Sequence, residues 1–242
     1  MIGSDKTSSS IDPERIREFY DSVYYRDVDT TSTVPRHLRR LAKKLGPWPN
    51  QRVLDVACGT GVWLQAMVVL GAFPAGIDIS QKALEVCRRV LPDATLHCGS
   101  AEKLPFTDRE FYFVSCLGAL EHFLDPQAAL REIVRVAKPD ARVLLLVPNS
   151  GFLPRRLGLY AGTHQAQVHE EDRSLEEWHA LFESAGLRVE RRWRDLHVLS
   201  ASWIFRGPWY LWFIRATQAL ALPLWPLSWQ YQVYHLCGLK HR

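Results

Sequence analysis

Short apolar runs alternate along the chain with stretches in which apolar residues recur at helical spacing. Val53–Val56 is the first such run, and glycines follow it at Gly59 and Gly61 before a mostly apolar segment from Val62 to Leu70. An apolar run that ends at a glycine turn and leads into a helix is typical of a strand buried in a parallel sheet. The pattern predicts a strand, a turn and a helix, with the turn at the sheet edge where α/β folds bind ligands.

The same alternation continues to the C-terminal end of the chain. Two helices are predicted in the leader, one beginning at Asp12-Pro13 and one from about Val34 to Leu45. Seven strands with helices between them predict an α/β fold with helices on both faces of the sheet. The later strands are predicted at 75–80, 94–98, 111–116, 142–147, 187–194 and 231–239, and the helices between them at 81–90, 128–137 and 174–185.

The glycine turn after the first strand distinguishes between the ligand classes that use such turns. A dinucleotide fingerprint would need a third glycine where Leu64 stands, and a P-loop would need Gly-Lys-Ser/Thr. The order Asp55-x-Ala57-Cys-Gly59-Thr-Gly61 instead resembles motif I of the class I S-adenosylmethionine (SAM) dependent methyltransferases, usually written Asp-x-Gly-x-Gly-x-Gly. Ala57 stands where that family usually has its first glycine.

The second predicted strand ends in an acid, Asp78, which follows Gly61 by 17 residues. A carboxylate at this place accepts hydrogen bonds from the ribose hydroxyls of a bound nucleoside in dinucleotide folds, and the adenosine of SAM presents the same hydroxyls. An alternative role is to cap the helix at 81–90, but Ser80 is already placed for that. We therefore interpret Asp78 as the ribose ligand.

Two further stretches resemble motifs of the same family. Gly99–Phe106 resembles Asp-Ala-Glu-x-Leu-Pro-Phe, in which the first acid usually contacts the adenine amino group. Ser100 replaces that acid here, and the backbone N–H of Ala101 remains for the adenine ring. Leu120–Pro126 resembles the signature Leu-Glu-His-x-x-Asp-Pro, which follows the fourth strand.

These matches identify the chain as similar to the methyltransferase type 11 or ubiquinone-biosynthesis-like branch of the family. The resemblance implies a Rossmann-like seven-stranded sheet with the last strand antiparallel, SAM as the cofactor, and transfer of its methyl group to oxygen or carbon of a small, lipophilic acceptor. The cofactor-binding residues it implies are Asp55, Ala57, Gly59, Gly61, Asp78, Ile79, Ser100, Ala101, Glu102 and Leu117.

The sulfonium of SAM makes the methyl electrophilic, so the protein needs to align the acceptor and take its proton. His122 is the first candidate base because it follows the fourth strand beside the expected methyl site; the alternative is a structural histidine bonded to backbone. His164 and His169 are weaker candidates on the loop Leu153–Asp172. The candidate substrate-contacting residues are Tyr20, Tyr25 and Tyr160.

Residues 196–230 lie between the sixth and seventh predicted strands and belong to neither. They contain five of the nine tryptophans and no acidic residue, and prolines interrupt their helical pattern. A membrane-spanning helix needs about 20 apolar residues, which these interruptions exclude. Three interpretations remain for this helical insertion: a lid over an apolar substrate, a dimer surface, or contact with a membrane surface through residues 203–229.

Composition and charge limit the function classes further. The formal net charge of +4 is small, and the paired arginines are spread over several elements without an RNA-binding module, so we expect no nucleic-acid partner. Five scattered cysteines without a C-x-x-C spacing indicate neither a disulfide framework nor a zinc or iron–sulfur site, and we expect no metal. Met1–Ser10 lacks the apolar core of a signal peptide. We expect a cytoplasmic protein, peripheral on the inner membrane face if the third interpretation of the insertion holds.

The sequence predicts four parts: a helical leader (1–50), a SAM-binding core (51–195), the apolar insertion (196–230) and a final core strand (231–242). Two alternatives to a small-molecule methyltransferase stay open. One is a methyltransferase acting on RNA or protein, and the other is a non-catalytic subunit with a SAM-binding fold. A homo-oligomer is compatible with all three interpretations.

Overall fold

The computed structural model describes residues 13–26, 33–46, 48–158, 171–195, 205 and 208–240. Within these residues seven strands form one sheet, and helices lie between most of them. The strands are β1 (Arg52–Val56), β2 (Phe73–Asp78), β3 (Thr95–Cys98), β4 (Phe111–Leu117), β5 (Ala137–Pro148), β6 (Leu187–Arg194) and β7 (Gln232–Leu239). The α-helices are α1 (Pro13–Phe19), α2 (Arg36–Leu45), α3 (Val62–Val68), α4 (Gln81–Val90), α5 (Pro126–Val136), α6 (Leu153–Arg156), α7 (Leu175–Ser184) and α8 (Tyr210–Ala221).

The strands lie in the order β3-β2-β1-β4-β5-β7-β6. Strands β1 to β5 pair in parallel, whereas β7 runs antiparallel to both of its neighbours, β5 and β6. The predicted seven-stranded sheet with an antiparallel last strand is therefore confirmed. Because the parallel strands share one direction, their carboxyl ends meet at one edge of the sheet, which we call the carboxyl edge.

An apolar core covers each face of the sheet, since successive residues of a strand point to opposite faces. Val143 and Leu145 of β5 pack in one core with α5 and α7, whereas Leu144 and Leu146 pack in the other with α2, α3 and α4. The largest fully buried side chains include Trp178 in the first core. The prediction of helices on both faces is confirmed.

Most predicted elements coincide with the observed ones, and the capping residues are among them. Ser80 accepts a hydrogen bond from the Ala83 N–H at the start of α4, and Ser174 forms a capping box with Glu177 at the start of α7. These caps are local contacts, which explains why a short sequence pattern was enough to predict them.

Two local predictions are wrong. Residues 138–141, between the predicted helix at 128–137 and the predicted strand at 142–147, where the sequence favours a turn, belong to β5. Pairing with β4 holds at Ala137 and again from Arg142, and the register shift between them is a bulge. The first leader helix is not a continuous α-helix, because it changes to a π-helical segment at Tyr20–Tyr24. Such segments often mark functional sites.

The insertion is described from residue 208 onward, together with Phe205. It contains α8 and two 3₁₀ turns, Leu222–Leu224 and Leu227–Trp229. Among the described residues, no helix is long and apolar enough to cross a membrane.

Candidate active site

The turn after β1 has an unusual backbone. Ala57, Gly59 and Gly61 all have positive φ, at 60°, 52° and 79°. A Cβ on Gly61 would lie 2.5 Å from the Cys87 Sγ, and one on Gly59 would lie 2.7 Å from the Tyr25 hydroxyl oxygen. Close packing and positive φ together explain the glycines, and the positive φ of Ala57 explains why glycine is usual at its position in the motif.

Asp78 lies at the end of β2 with 6% of its surface exposed. Its Oδ2 accepts a hydrogen bond of 2.7 Å from the Gly59 N–H, and its Oδ1 accepts one of 2.8 Å from the Ser80 N–H. Burial raises the pKa of this carboxyl, and the two backbone N–H groups oppose that rise. The carboxylate thus connects the glycine turn to α4, and its remaining lone pairs can serve a ligand.

A cavity of about 430 Å³ opens beside Asp78 at the carboxyl edge of the sheet. Ten of the predicted site residues line it. These are Tyr20, Tyr25, Ala57, Asp78, Ile79, Ser100, Ala101, Glu102, Leu117 and His122.

The remaining predicted residues are placed elsewhere. Gly59 and Gly61 form the turn without lining the cavity, and Asp55 is buried beneath it. Tyr160, His164 and His169 lie outside the described residues.

Several cavity-lining residues were not singled out from the sequence. Most come from the leader helix and from the segment after β4; the other two are in β2 and directly after β3. Four of them, Gly99, Phe123, Leu124 and Asp125, lie in the stretches that resemble family motifs, which was the available local signal. The full set is Ile16, Tyr24, Ile77, Gly99, Gly118, Ala119, Phe123, Leu124 and Asp125.

Asp55 has a buried hydrogen-bond partner. Its Oδ1 accepts a hydrogen bond of 2.6 Å from the Ser115 hydroxyl, and the Trp63 Nε1–H donates to the same hydroxyl at 3.0 Å. Burial raises the pKa of Asp55 to about 7, although the bond from Ser115 acts in the opposite direction. Asp55 therefore packs beneath the glycine turn, where Ser115 and Trp63 hold it in a buried hydrogen-bond chain.

Glu102 joins two segments of the cavity wall. Its Oε1 accepts hydrogen bonds from the N–H groups of Leu124 and Asp125, at 3.1 and 3.3 Å, and its other oxygen is hydrogen-bonded to the Ser100 hydroxyl. The loop after β3 is thereby held against the loop after β4. Ser100, which replaces the usual acid, forms part of this connection.

His122 lies in a short 3₁₀ turn after β4 and is only 8% exposed. Its Nε2 lies 3.9 Å from the Oε1 of the buried Glu121. The Glu121 carbonyl accepts a hydrogen bond of 2.8 Å from the Glu171 N–H, so the chain returns to this turn after the undescribed part of its loop. His122 lines the cavity that Asp78 also lines.

The leader covers the cavity from the side of α4. Asp21 Oδ1 accepts hydrogen bonds from the Ser80 hydroxyl at 2.5 Å and from the Lys82 N–H at 3.3 Å. This contact places Tyr24 and Tyr25 in the cavity wall that Asp78 also lines. Burial, with Asp78 adding to it, raises the pKa of both phenols.

A sheet of this order, with a glycine turn after β1 and an acid at the end of β2 in one cavity, defines a Rossmann-like nucleoside-binding protein. The family model described as "Methyltransferase domain" matches residues 54–145.

The chain is 32% identical over 138 residues to a demethylmenaquinone methyltransferase of Renibacterium salmoninarum, which covers 55% of this chain and 58% of that protein. It is 32% identical over 159 residues to a ubiquinone biosynthesis O-methyltransferase of Alkalilimnicola ehrlichii, which covers 60% of this chain and 64% of that protein. The chain thus spans less than two thirds of the length of these relatives.

The fold is also similar to a solved SAM-dependent methyltransferase from Aquifex aeolicus, at a TM-score of 0.57 and 17% identity over 93% of this chain and 97% of that one. At this identity the likeness concerns the fold. Together, the matching family model, the relatives and this fold support a class I SAM-dependent methyltransferase.

SAM is the cofactor of this family, and the residues present fit it. A cavity of about 430 Å³ is within the roughly 300–1,000 Å³ range of small-molecule sites. Asp78 would hold the ribose, the glycine turn would approach the methionine part, and Ala101 would face the adenine. Among the described residues, no cluster of side chains suits a metal ion.

Proposed function

We propose that the protein transfers the methyl group of SAM to an oxygen or carbon atom of a small, lipophilic acceptor. The observation that carries this proposal is that Asp78 and His122 line the same cavity. The proposed ribose ligand and the candidate base therefore line one cavity. The rest of the wall is largely apolar, with Ile16, Leu117 and Phe123 among its residues.

The names of the two relatives support this acceptor class, since both refer to isoprenoid quinones. Such acceptors carry a ring hydroxyl or ring carbon that is methylated, on a molecule that dissolves in lipid. An apolar cavity wall favours this kind of ligand because burying apolar surface contributes about 25 cal/mol per Å².

SAM, when bound, supplies the electrophilic methyl group. The chain then has three tasks. Asp78 and the glycine turn hold the nucleoside in place, and the tyrosines of the leader exclude water from the cavity. The His122 imidazole accepts the proton of an acceptor hydroxyl as its oxygen becomes nucleophilic, a contribution of typically about 10²–10⁴ in rate.

The test is transfer of label from methyl-labelled SAM to a panel of hydroquinones and catechols, followed by extraction into organic solvent. We expect label in the extract, and His122→Asn should lower kcat by about 10²-fold or more while leaving S-adenosylhomocysteine (SAH) binding intact. His179→Asn is the matched control, because His179 lies on the surface of α7 and pairs with Glu183.

Two outcomes would contradict the proposal. Label appearing in added RNA or protein instead would favour a macromolecular acceptor. SAH binding without transfer to any acceptor would favour the non-catalytic binding subunit.

The proposal includes a cytoplasmic location with contact to the inner membrane face through residues 203–229. A lipid-dissolved acceptor is most concentrated there, and the insertion is the most apolar exposed part of the chain that the structure describes.

A further inference from the structure

The described part of the insertion exposes large apolar side chains all along its length. Six of them form what we call the apolar surface. They are Phe205, Trp209, Tyr210, Phe213, Leu220 and Leu224, with exposed fractions from 57% to 85%.

Exposed apolar groups at this density are unusual for a monomer in water. They therefore indicate that another phase or molecule covers this surface.

The C-terminal end of the segment that carries the apolar surface is held at the carboxyl edge of the sheet. The Asn149 side-chain N–H₂ donates to the carbonyls of Ser228 and Gln230, at 2.9 and 3.1 Å. The Gln230 side chain in turn donates to the carbonyls of Leu222 and Trp225. Asn149 directly follows β5, so the segment that carries the apolar surface is anchored where this strand ends.

The cavity opens at the same edge. The strand next to β5 is β4, and its last residue, Leu117, lines the cavity together with Gly118. The Gly118 N–H donates to the Leu146 carbonyl of β5 at 2.9 Å. The anchored segment and the cavity thus lie beside neighbouring strand ends.

The charge of the chain points to the kind of partner. Residues 1–195 contain 26 lysines and arginines and 26 acids, which cancel. Residues 196–230, which include the apolar surface, contain no acid and two cations, Arg206 and Arg215. Tryptophan, tyrosine and arginine side by side are typical of segments that lie in a lipid headgroup region.

We propose that the apolar surface docks the protein on an anionic lipid bilayer, with the carboxyl edge of the sheet turned toward the lipid. The inference rests on the proposed function, because it names the partner from which a lipophilic acceptor reaches the cavity. The two arginines of this acid-free segment add attraction to anionic headgroups, and that attraction weakens with salt.

Vesicle flotation of the full chain tests this, with vesicles of phosphatidylcholine alone and of phosphatidylcholine mixed with phosphatidylglycerol. We expect binding to the mixed vesicles, weaker binding to the neutral ones, and partial release by added NaCl. The triple variant Trp209→Ala, Phe213→Ala, Leu224→Ala should bind on the order of a hundredfold more weakly.

The matched control is Val69→Ala, Phe73→Ala. These side chains are also exposed, at 80% and 57%, but lie at the opposite edge, at the end of α3 and the start of β2. We expect this variant to float like the wild type. SAH titration of each protein shows whether its core is folded and reports on the proposed function separately, since vesicle binding is measured without cofactor.

The inference is overturned if the wild type stays unbound with both vesicle types, or if the two variants lose binding equally. Sedimentation of the wild type without lipid tests the alternative that a second copy of the chain covers the apolar surface. A dimer that the triple variant converts to monomer, with no vesicle binding, would assign the surface to a second copy of the chain.

Discussion

Burial is the main cause of the raised pKa of Asp55. Motif resemblance predicted it as a cofactor ligand, yet its carboxyl lies beneath the glycine turn, where Ser115 donates to it. Its pKa of about 7 compares with 3.8 for an exposed aspartate. Asp55 therefore stays protonated to a higher pH in the folded protein than in the unfolded chain.

This shift makes stability depend on pH with a definite sign. A group whose pKa is raised on folding contributes stability below its unfolded pKa and loses it as pH rises through the folded pKa. Ionising Asp55 should thus lower the free energy of unfolding between pH 4 and 7, by up to about 4 kcal/mol.

Asp55→Asn isolates this effect, because its Oδ1 still accepts from Ser115. We expect the variant to gain stability relative to the wild type as pH rises from 4 to 8, measured by urea unfolding at several pH values. A stability difference that is constant across this range would contradict the raised pKa.

Residues whose role depends on backbone geometry were the easiest to predict. Gly61 and Asp78 occupy their positions because a positive φ and a strand-end carboxylate are local requirements. The burial of Asp55 depends on β4, which contributes Ser115 from 60 residues away. No local pattern contains that information.

At the scale of elements, polar contacts join the π-helical segment at Tyr20–Tyr24 to the start of α4. Asp21 bonds the Ser80 hydroxyl and the Lys82 N–H at the start of α4, and the Lys82 ammonium donates to the Arg26 carbonyl. These contacts position the π-helical segment that carries Tyr24. They thereby join this part of the cavity wall to the N-terminal end of α4.

Asp21→Ala should therefore loosen the leader without unfolding the core. We expect SAH to bind roughly tenfold more weakly, which corresponds to about 1.4 kcal/mol, and amide exchange to accelerate over residues 13–26. Calorimetry and hydrogen exchange measure the two effects.

Arg17→Ala is the control within the same element. The Arg17 side chain is 55% exposed and lies 3.9 Å from Asp21, so its removal should change SAH affinity little. If both variants bind SAH like the wild type, the leader does not position the cavity.

Elements with a local signal were predicted closely, and elements set by tertiary contacts were not. The limits of α4 and β6 coincide with their predicted ranges because apolar spacing and caps determine them. The bulge in β5 exists because pairing with β4 resumes beyond Tyr112, and the π-helical segment lies where the leader meets α4. The division of the chain into leader, core, insertion and final strand stays a prediction.

At the scale of the whole molecule, the strand order brings distant motifs together. Asp78 is the last residue of β2, Ser100 follows β3 and His122 follows β4. The three line one cavity because their strands share a carboxyl edge. Family motifs in the right order were enough to predict this arrangement. The apolar part of the cavity wall was not predictable in the same way, because most of it is assembled from the leader and from the segment after β4.

The central claim is that this cavity binds SAM through Asp78. The most direct test is calorimetric titration of SAH into the wild type, Asp78→Asn and Asp125→Asn. Asp125 lines the same cavity and caps α5 through Ala128, a cap that asparagine preserves, so it serves as the matched control.

Asp78→Asn loses a charged acceptor for the N–H groups of Gly59 and Ser80 and for the ribose. It should bind SAH roughly 10–100-fold more weakly, equivalent to about 1.5–3 kcal/mol. The wild type and Asp125→Asn should bind with similar affinity. Absence of SAH binding by the folded wild type, or equal binding by all three proteins, would contradict the account.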